Sequence, residues 1–123
     1  MAFKVLIIDD DPYLLPIIAD AFNRGGFKTL YADDGAAGMR IFNAERPALV
    51  VTDIVMANKE GLATIIELKN KPSPPKVIAI SGGGQIAGSA VLRWAKHLGA
   101  DEVMAKPFQM AALVARAHQL LAQ

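Results

Sequence analysis

The sequence contains no cysteine. That absence excludes a disulfide framework, a thiol nucleophile and a thiolate metal site, and it is compatible with a reducing cytoplasm. Net charge is also nearly absent. Thirteen basic residues against twelve acidic ones leave +1 at neutral pH, too little for non-specific nucleic-acid binding to be the main task. No segment reaches the apolar length of a membrane-spanning helix, and the N-terminus lacks the basic-then-apolar order of a secretory signal. Histidine occurs only at His97 and His118. Each lies in a helical pattern with no carboxylate or histidine at ligand spacing, so both read as helix-surface residues. Repeats and low-complexity tracts are missing. What remains is 123 residues, enough for one domain with a real core and too few for two. The expectation is a single soluble domain over 1–123, located in the cytoplasm, with Met1 close enough to the first strand for the chain to be a whole protein.

What is present is organised around Val5-Leu-Ile-Ile-Asp9-Asp10-Asp11-Pro12. Four consecutive branched aliphatics predict a strand buried on both faces, as in the middle of a parallel sheet. Asp11 is a good helix cap and Pro12 a good first helical residue, so the chain should pass directly from strand into helix. Acids crowded at one sheet edge repel and raise one another's pKa unless a cation lies among them. The strand therefore predicts a metal or another electrophile at its end.

Further along, strand and helix patterns alternate. A helix after Pro12 should bury Leu14, Leu15, Ile18, Ala21 and Phe22 and stop at Gly25-Gly26, with Pro16 bending its first turns. A second strand is expected at Lys28–Ala32, then a helix capped by Asp34 that turns Ala37, Ile41 and Phe42 inward. The third strand, Ala48–Thr52, ends in Asp53. A loop from Ile54 to Glu60 leads to a helix with Leu62, Ile65 and Ile66 as its apolar positions. After the Pro72–Pro75 break, Lys76–Ile80 forms a fourth strand ending in Ser81 and three glycines. A helix over Gly88–Leu98, with Trp94 partly in the core, a fifth strand at Glu102–Ala105 ending in Lys106-Pro107, and an amphipathic helix bearing Leu113, Val114, Ala117, Leu120 and Leu121 complete the chain. Met39, Met56, Met104 and Met110 read as core filler. Five such units imply an α/β fold, a five-stranded parallel sheet with helices on both faces. Functional groups in such sheets collect at the carboxyl ends of the strands. Those ends carry Asp9 and Asp10, then Asp53, Ser81 and Lys106.

Taken singly, each of these residues has a plain reading. Asp9 and Asp10 can be caps, Asp53 a strand terminator, Ser81 a loop residue and Lys106 a solvated turn residue. Their joint occurrence, in order and on the right element ends, resembles the receiver domain of two-component response regulators. The resemblance covers the whole chain and includes the phrase from Asp53 to Gly61-Leu62 and the run Lys106-Pro107-Phe108. It implies the flavodoxin-like strand order 2-1-3-4-5, which the family shares with other open α/β sheets. It further implies that Asp53 accepts a phosphoryl group from a phosphohistidine and that Asp9, Asp10, Asp53 and the backbone carbonyl of Val55 bind Mg²⁺. Ser81 and Lys106 would then share the phosphoryl oxygens, and the Lys106–Pro107 bond would be cis. The partners implied are a sensor histidine kinase or histidine phosphotransfer protein and a downstream protein target. The chain would be a monomer or weak dimer that touches neither nucleic acid nor membrane, and a signalling domain rather than an enzyme with turnover.

Three positions depart from the usual family pattern. Ala57 stands where proline is common, Val103 where an aromatic switch residue is common, and Gly82-Gly83 where residues such as alanine are commoner. Two other functions fit the same architecture. A flavin- or nucleotide-binding module would want a glycine-rich phosphate loop after the first strand, where this chain has acids that repel phosphate. A phosphatase with an aspartyl nucleophile would need a second acid as general acid, and the loop after Asp53 offers only Glu60.

Overall fold

A computed structural model of the chain describes residues 2–54, 61–81 and 93–123. Five parallel strands pair in the order β2-β1-β3-β4-β5: β1 (Lys4–Ile8), β2 (Lys28–Ala32), β3 (Leu49–Asp53), β4 (Lys76–Ser81) and β5 (Glu102–Ala105). The helices are α1 (Leu14–Arg24), α2 (Gly35–Glu45), α3 (Gly61–Lys69), a helical segment α4 at 93–97, and α5 (Met110–Leu121). This is the expected flavodoxin-like fold. β3 includes Asp53 and begins one residue later than predicted. No helix among the described residues is long and apolar enough to cross a membrane.

Side chains alternate across the central strands, and each face of the sheet has its own core. Val5, Ile7, Leu49, Val51, Ile78 and Ile80 pack with Ile18 and Phe22 of α1 and with Leu113, Ala117 and Leu120 of α5. Leu6, Ile8, Val50, Val77 and Ala79 pack on the other face with Met39 and Phe42 of α2, Ile65 and Leu68 of α3, and Ala95 of α4. Because β1, β3 and β4 are covered on both sides, their apolar runs are continuous, which is why they are readable as inner strands.

The local signals explain most of the element ends. Regular α1 begins at Leu14, two residues after the expected Pro12, yet Asp11 still does the work of a cap. Its Oδ1 accepts from the amides of Tyr13 (2.8 Å) and Leu14 (3.2 Å), and its carbonyl accepts from Leu15 N (3.1 Å). The later start leaves Pro16 in the first regular turn, where helix amides lack intrahelical partners anyway, so its missing donor costs less than an interior proline would. α1 closes with Phe27 N donating to Phe22 O at 3.0 Å across Gly26, whose φ of +90° suits glycine.

Two packing expectations are corrected. Trp94 is 63% exposed rather than part of the core, because Ala95 takes the inward position of α4. Ile66 is 43% exposed, and Thr64, Ile65 and Leu68 form the buried stripe of α3. The apolar spacing of that helix is ambiguous because it has more apolar residues than one face can bury. Val91 and Leu92 of the expected fourth helix lie outside the described residues. Asp34 caps α2 as expected, accepting from Ala37 N at 2.7 Å. Asp34→Ala should therefore lower unfolding free energy by about 1 kcal/mol, measured by urea titration, with an unchanged strand-order fold.

Candidate functional site

The strand register assembles the site. Ile8 pairs with Thr52, Asp53 with Ile80, and Ser81 with Ala105. The residues that follow or end these strands must then arrive at one edge. Asp9 follows β1, Asp53 ends β3, Ser81 ends β4 and Lys106 follows β5. The Lys106 amide donates to Ser81 O at 2.8 Å, which fixes the start of the β5 exit against β4. The Lys106–Pro107 peptide is cis, as the family resemblance implied.

Side chains converge on the same point. Lys106 Nζ lies 3.3 Å from Asp53 Oδ2 and 3.6 Å from Asp9 Oδ2. Carboxylate oxygens of Asp9, Asp10 and Asp53 lie within 4.8 Å of one another. Asp9, Asp53 and Ser81 are buried, whereas Asp10 is exposed. Asp11 N donates to Asp9 Oδ1 at 2.9 Å and orients that carboxylate. Among the described residues, neither Asp9 Oδ2 nor Ser81 Oγ, both buried, has a hydrogen-bond partner. Buried polar atoms are normally hydrogen-bonded, so two at one edge with that capacity unused among the described residues, one of them facing only the Lys106 ammonium at 3.6 Å, leave room for a further group.

Burial raises the Asp9 pKa, with Asp53 and Asp10 adding repulsion, and the Asp11 amide and Lys106 only partly opposing this. Asp11 itself is held low by the Tyr13 and Leu14 amides. Three carboxylates within reach, one with an orphaned oxygen, are hard oxygen donors of the kind Mg²⁺ takes. The cluster is thus compatible with that ion.

The structure brings together the side chains of Asp9, Asp10, Asp53 and Lys106 and places Ser81, buried, at the adjoining end of β4. Val55, the expected carbonyl ligand, lies outside the described residues, as do Met56, Ala57, Glu60 and Gly82–Gly84. Val103 is partly buried against the α2–α3–α4 core. Two residues close to the site have no assigned role in the sequence reading. Thr52 is fully buried and donates to Asp53 O at 3.0 Å, and Gly61 donates its amide to Ile54 O at 2.8 Å. A hydroxyl inside an otherwise apolar strand is the signal that could have found the first.

The model of the response regulator receiver domain matches residues 5–118. The chain belongs to that family. It is 30% identical over 110 residues to the chemotaxis protein CheY of Bacillus subtilis, with 89% of each chain covered. Against the transcriptional regulatory protein CpxR of Klebsiella pneumoniae it is 30% identical over 118 residues, which are 96% of this chain and 49% of that protein. The chain spans about half the length of several of the curated relatives it matches. Among solved structures, the receiver domain of NtrX from Brucella abortus superposes with a TM-score of 0.87 at 28% identity, covering 97% of this chain and 98% of that one. A putative response regulator from Chloroflexus aurantiacus reaches 0.91 at 20% identity over the full length of both, a likeness of fold alone.

As a receiver domain, the chain is a phosphorylation-dependent switch of two-component signalling, and neither the flavin module nor the phosphatase is favoured. The electrostatics of this receiver make a test. A carboxyl whose folded pKa is raised binds its proton more tightly in the folded state, so stability is lost as pH rises through that folded value. Asp9→Asn removes the burial cost of the charge while retaining an acceptor for the Asp11 amide. In chelator-treated buffer the variant should melt a few degrees above wild type at neutral pH, and the gain should vanish near pH 4. The check is thermal denaturation across pH.

Proposed function

We propose that Asp53 is the phosphoacceptor of this switch, taking its phosphoryl group from the phosphohistidine of a sensor histidine kinase or a histidine phosphotransfer protein. The observation that carries this reading is the Lys106 ammonium 3.3 Å from Asp53 Oδ2 at the end of the central strand. An Asp53 oxygen attacks phosphorus, the P–N bond breaks, and its electron pair stays on the ring, which departs as neutral imidazole when its other nitrogen already carries a proton. The product is an aspartyl phosphate. Phosphoryl transfer asks a protein mainly for positioning and charge stabilisation. Lys106 would follow charge onto the phosphoryl oxygens, and Ser81, whose Oγ has no hydrogen-bond partner among the described residues, would donate its proton to one of them.

Asp9, Asp10 and Asp53 would hold Mg²⁺, with the Val55 carbonyl as the further ligand. When bound, the ion supplies neutralisation of phosphoryl charge. A groove of 570 Å³ bordered by Asp9, Asp10, Pro12, Pro16 and Tyr31 opens beside the first two of these acids.

The same reading makes 1–123 one receiver unit that acts in the cytoplasm as a monomer or weak dimer. Its output is altered contact with a downstream protein, and the only covalent chemistry it performs is on its own carboxylate.

Treatment with a small phosphodonor and Mg²⁺ should add one phosphoryl group to the intact mass of wild type and none to Asp53→Asn, with the label mapped to Asp53 by peptide sequencing. Label found on Asp9 or Asp10 instead would contradict the assignment. Mg²⁺ alone should raise the thermal midpoint of wild type, since a ligand that binds only the folded state stabilises it. Asp10→Asn should show a smaller rise.

A further inference from the structure

We propose that Thr52 and Gly61 are positioning residues for phosphoryl transfer, clamping the Asp53 peptide from the α3 side and so aiming the Asp53 carboxylate. The proposal rests on Asp53 being the acceptor and assigns the means by which it is held.

Asp53 is the last residue of β3, and pairing with β1 extends only to Thr52. A carboxylate at a strand end is aimed by the backbone it hangs from, and here the carbonyl of Asp53 and that of the next residue, Ile54, each accept a hydrogen bond. The Thr52 hydroxyl donates to Asp53 O at 3.0 Å from a fully buried side chain. Gly61, the first residue of α3, closes the loop by donating its amide to Ile54 O at 2.8 Å. Ile54 N in turn donates to Ile80 O at 2.9 Å, which ties the same segment to β4.

Gly61 also packs against this peptide in a way that no other residue type can. A β-carbon built there would collide with Asp53 O, and it would lie 2.5 Å from Ile54 Cα and 2.8 Å from Ile54 O. Those are backbone atoms, so relief requires moving the end of β3 or the start of α3. Gly25 is different. Its added β-carbon would meet Val114 Cγ1 at 2.7 Å, the tip of a side chain on α5 that can give way.

The two contacts matter because the Lys106–Asp53 separation is set by where the strand end lies. A displacement of about 1 Å at a reacting group can cost on the order of 100-fold in rate. The contacts shown for Thr52 and Gly61 are with the backbone of Asp53 and Ile54, so their effect is on the aim of the carboxylate.

The test compares wild type, Thr52→Val, Thr52→Ser, Gly61→Ala and Gly25→Ala. Phosphorylation of Asp53 by a small phosphodonor in Mg²⁺ is timed at a temperature where circular dichroism shows each protein fully folded. Valine keeps the branched shape and removes only the donor. Thr52→Val should label about three- to tenfold more slowly, Thr52→Ser should return to within about twofold of wild type, and Gly61→Ala should be at least about tenfold slower. Gly25→Ala should label at the wild-type rate even where its melting temperature falls. If Gly61→Ala does not fold, the Thr52→Val and Thr52→Ser pair decides. Folded Thr52→Val and Gly61→Ala proteins that label at the wild-type rate would overturn the proposal, as would a Thr52→Ser protein as slow as Thr52→Val. Failure of wild type to label on Asp53 would overturn the acceptor reading itself, and the clamp with it.

Discussion

Among the described residues, three carboxylates and one ammonium meet at the carboxyl edge of the sheet, with Lys106 Nζ 3.3 Å from Asp53 and 3.6 Å from Asp9. Burial raises the pKa of Asp9, repulsion from Asp53 and Asp10 adds to it, and among the described residues its second oxygen has no hydrogen-bond partner. A protein does not retain such a cost without return, because burying a charge with incomplete pairing subtracts directly from a small net stability. At this edge the cost makes a site that favours whatever brings positive charge or takes negative charge away.

The rest of the molecule holds that edge in place. Two separate cores, one on each face, bury the inner strands, and a slip of register would carry each strand's side chains into the opposite core, where they do not match the packing. Register is what puts Asp9, Asp53, Ser81 and Lys106 side by side, since each follows or ends a strand whose last residues are paired. Asp11 joins the two levels. Its carboxylate caps the start of α1 while its amide orients Asp9, so helix initiation and site geometry share one residue.

How far the fold and the site can be read from sequence depends on how many signals agree at each place. Inner strands are legible because a strand covered on both faces needs an unbroken run of branched aliphatics, and its exit from the core is marked by an acid or a hydroxyl. The site is legible for the same reason: five chemistry-bearing residues stand at four strand ends. α3 is harder. Leu62, Ile65, Ile66 and Leu68 are more apolar residues than one helical stripe holds, so spacing places the exposed Ile66 inward. Trp94 is misplaced because its size suggests burial, while the neighbouring small Ala95 fills the space. Thr52 and Gly61 escape a sequence reading because their importance lies in contact with a backbone, and spacing along a chain carries little information about where a peptide carbonyl will point.

On the proposed function, these strand ends form one pocket that binds Mg²⁺ and an aspartyl phosphate together. Two-dimensional amide spectra of the protein, recorded alone, with Mg²⁺, and with Mg²⁺ plus beryllium fluoride as a stand-in for the bound phosphoryl group, test it most directly. Mg²⁺ should shift the amides of Asp9, Asp10 and Asp53, and beryllium fluoride should add shifts at Ser81 and Lys106 only when Mg²⁺ is present. Shifts confined to other parts of the chain, or a beryllium fluoride response that survives in Asp53→Asn, would contradict it.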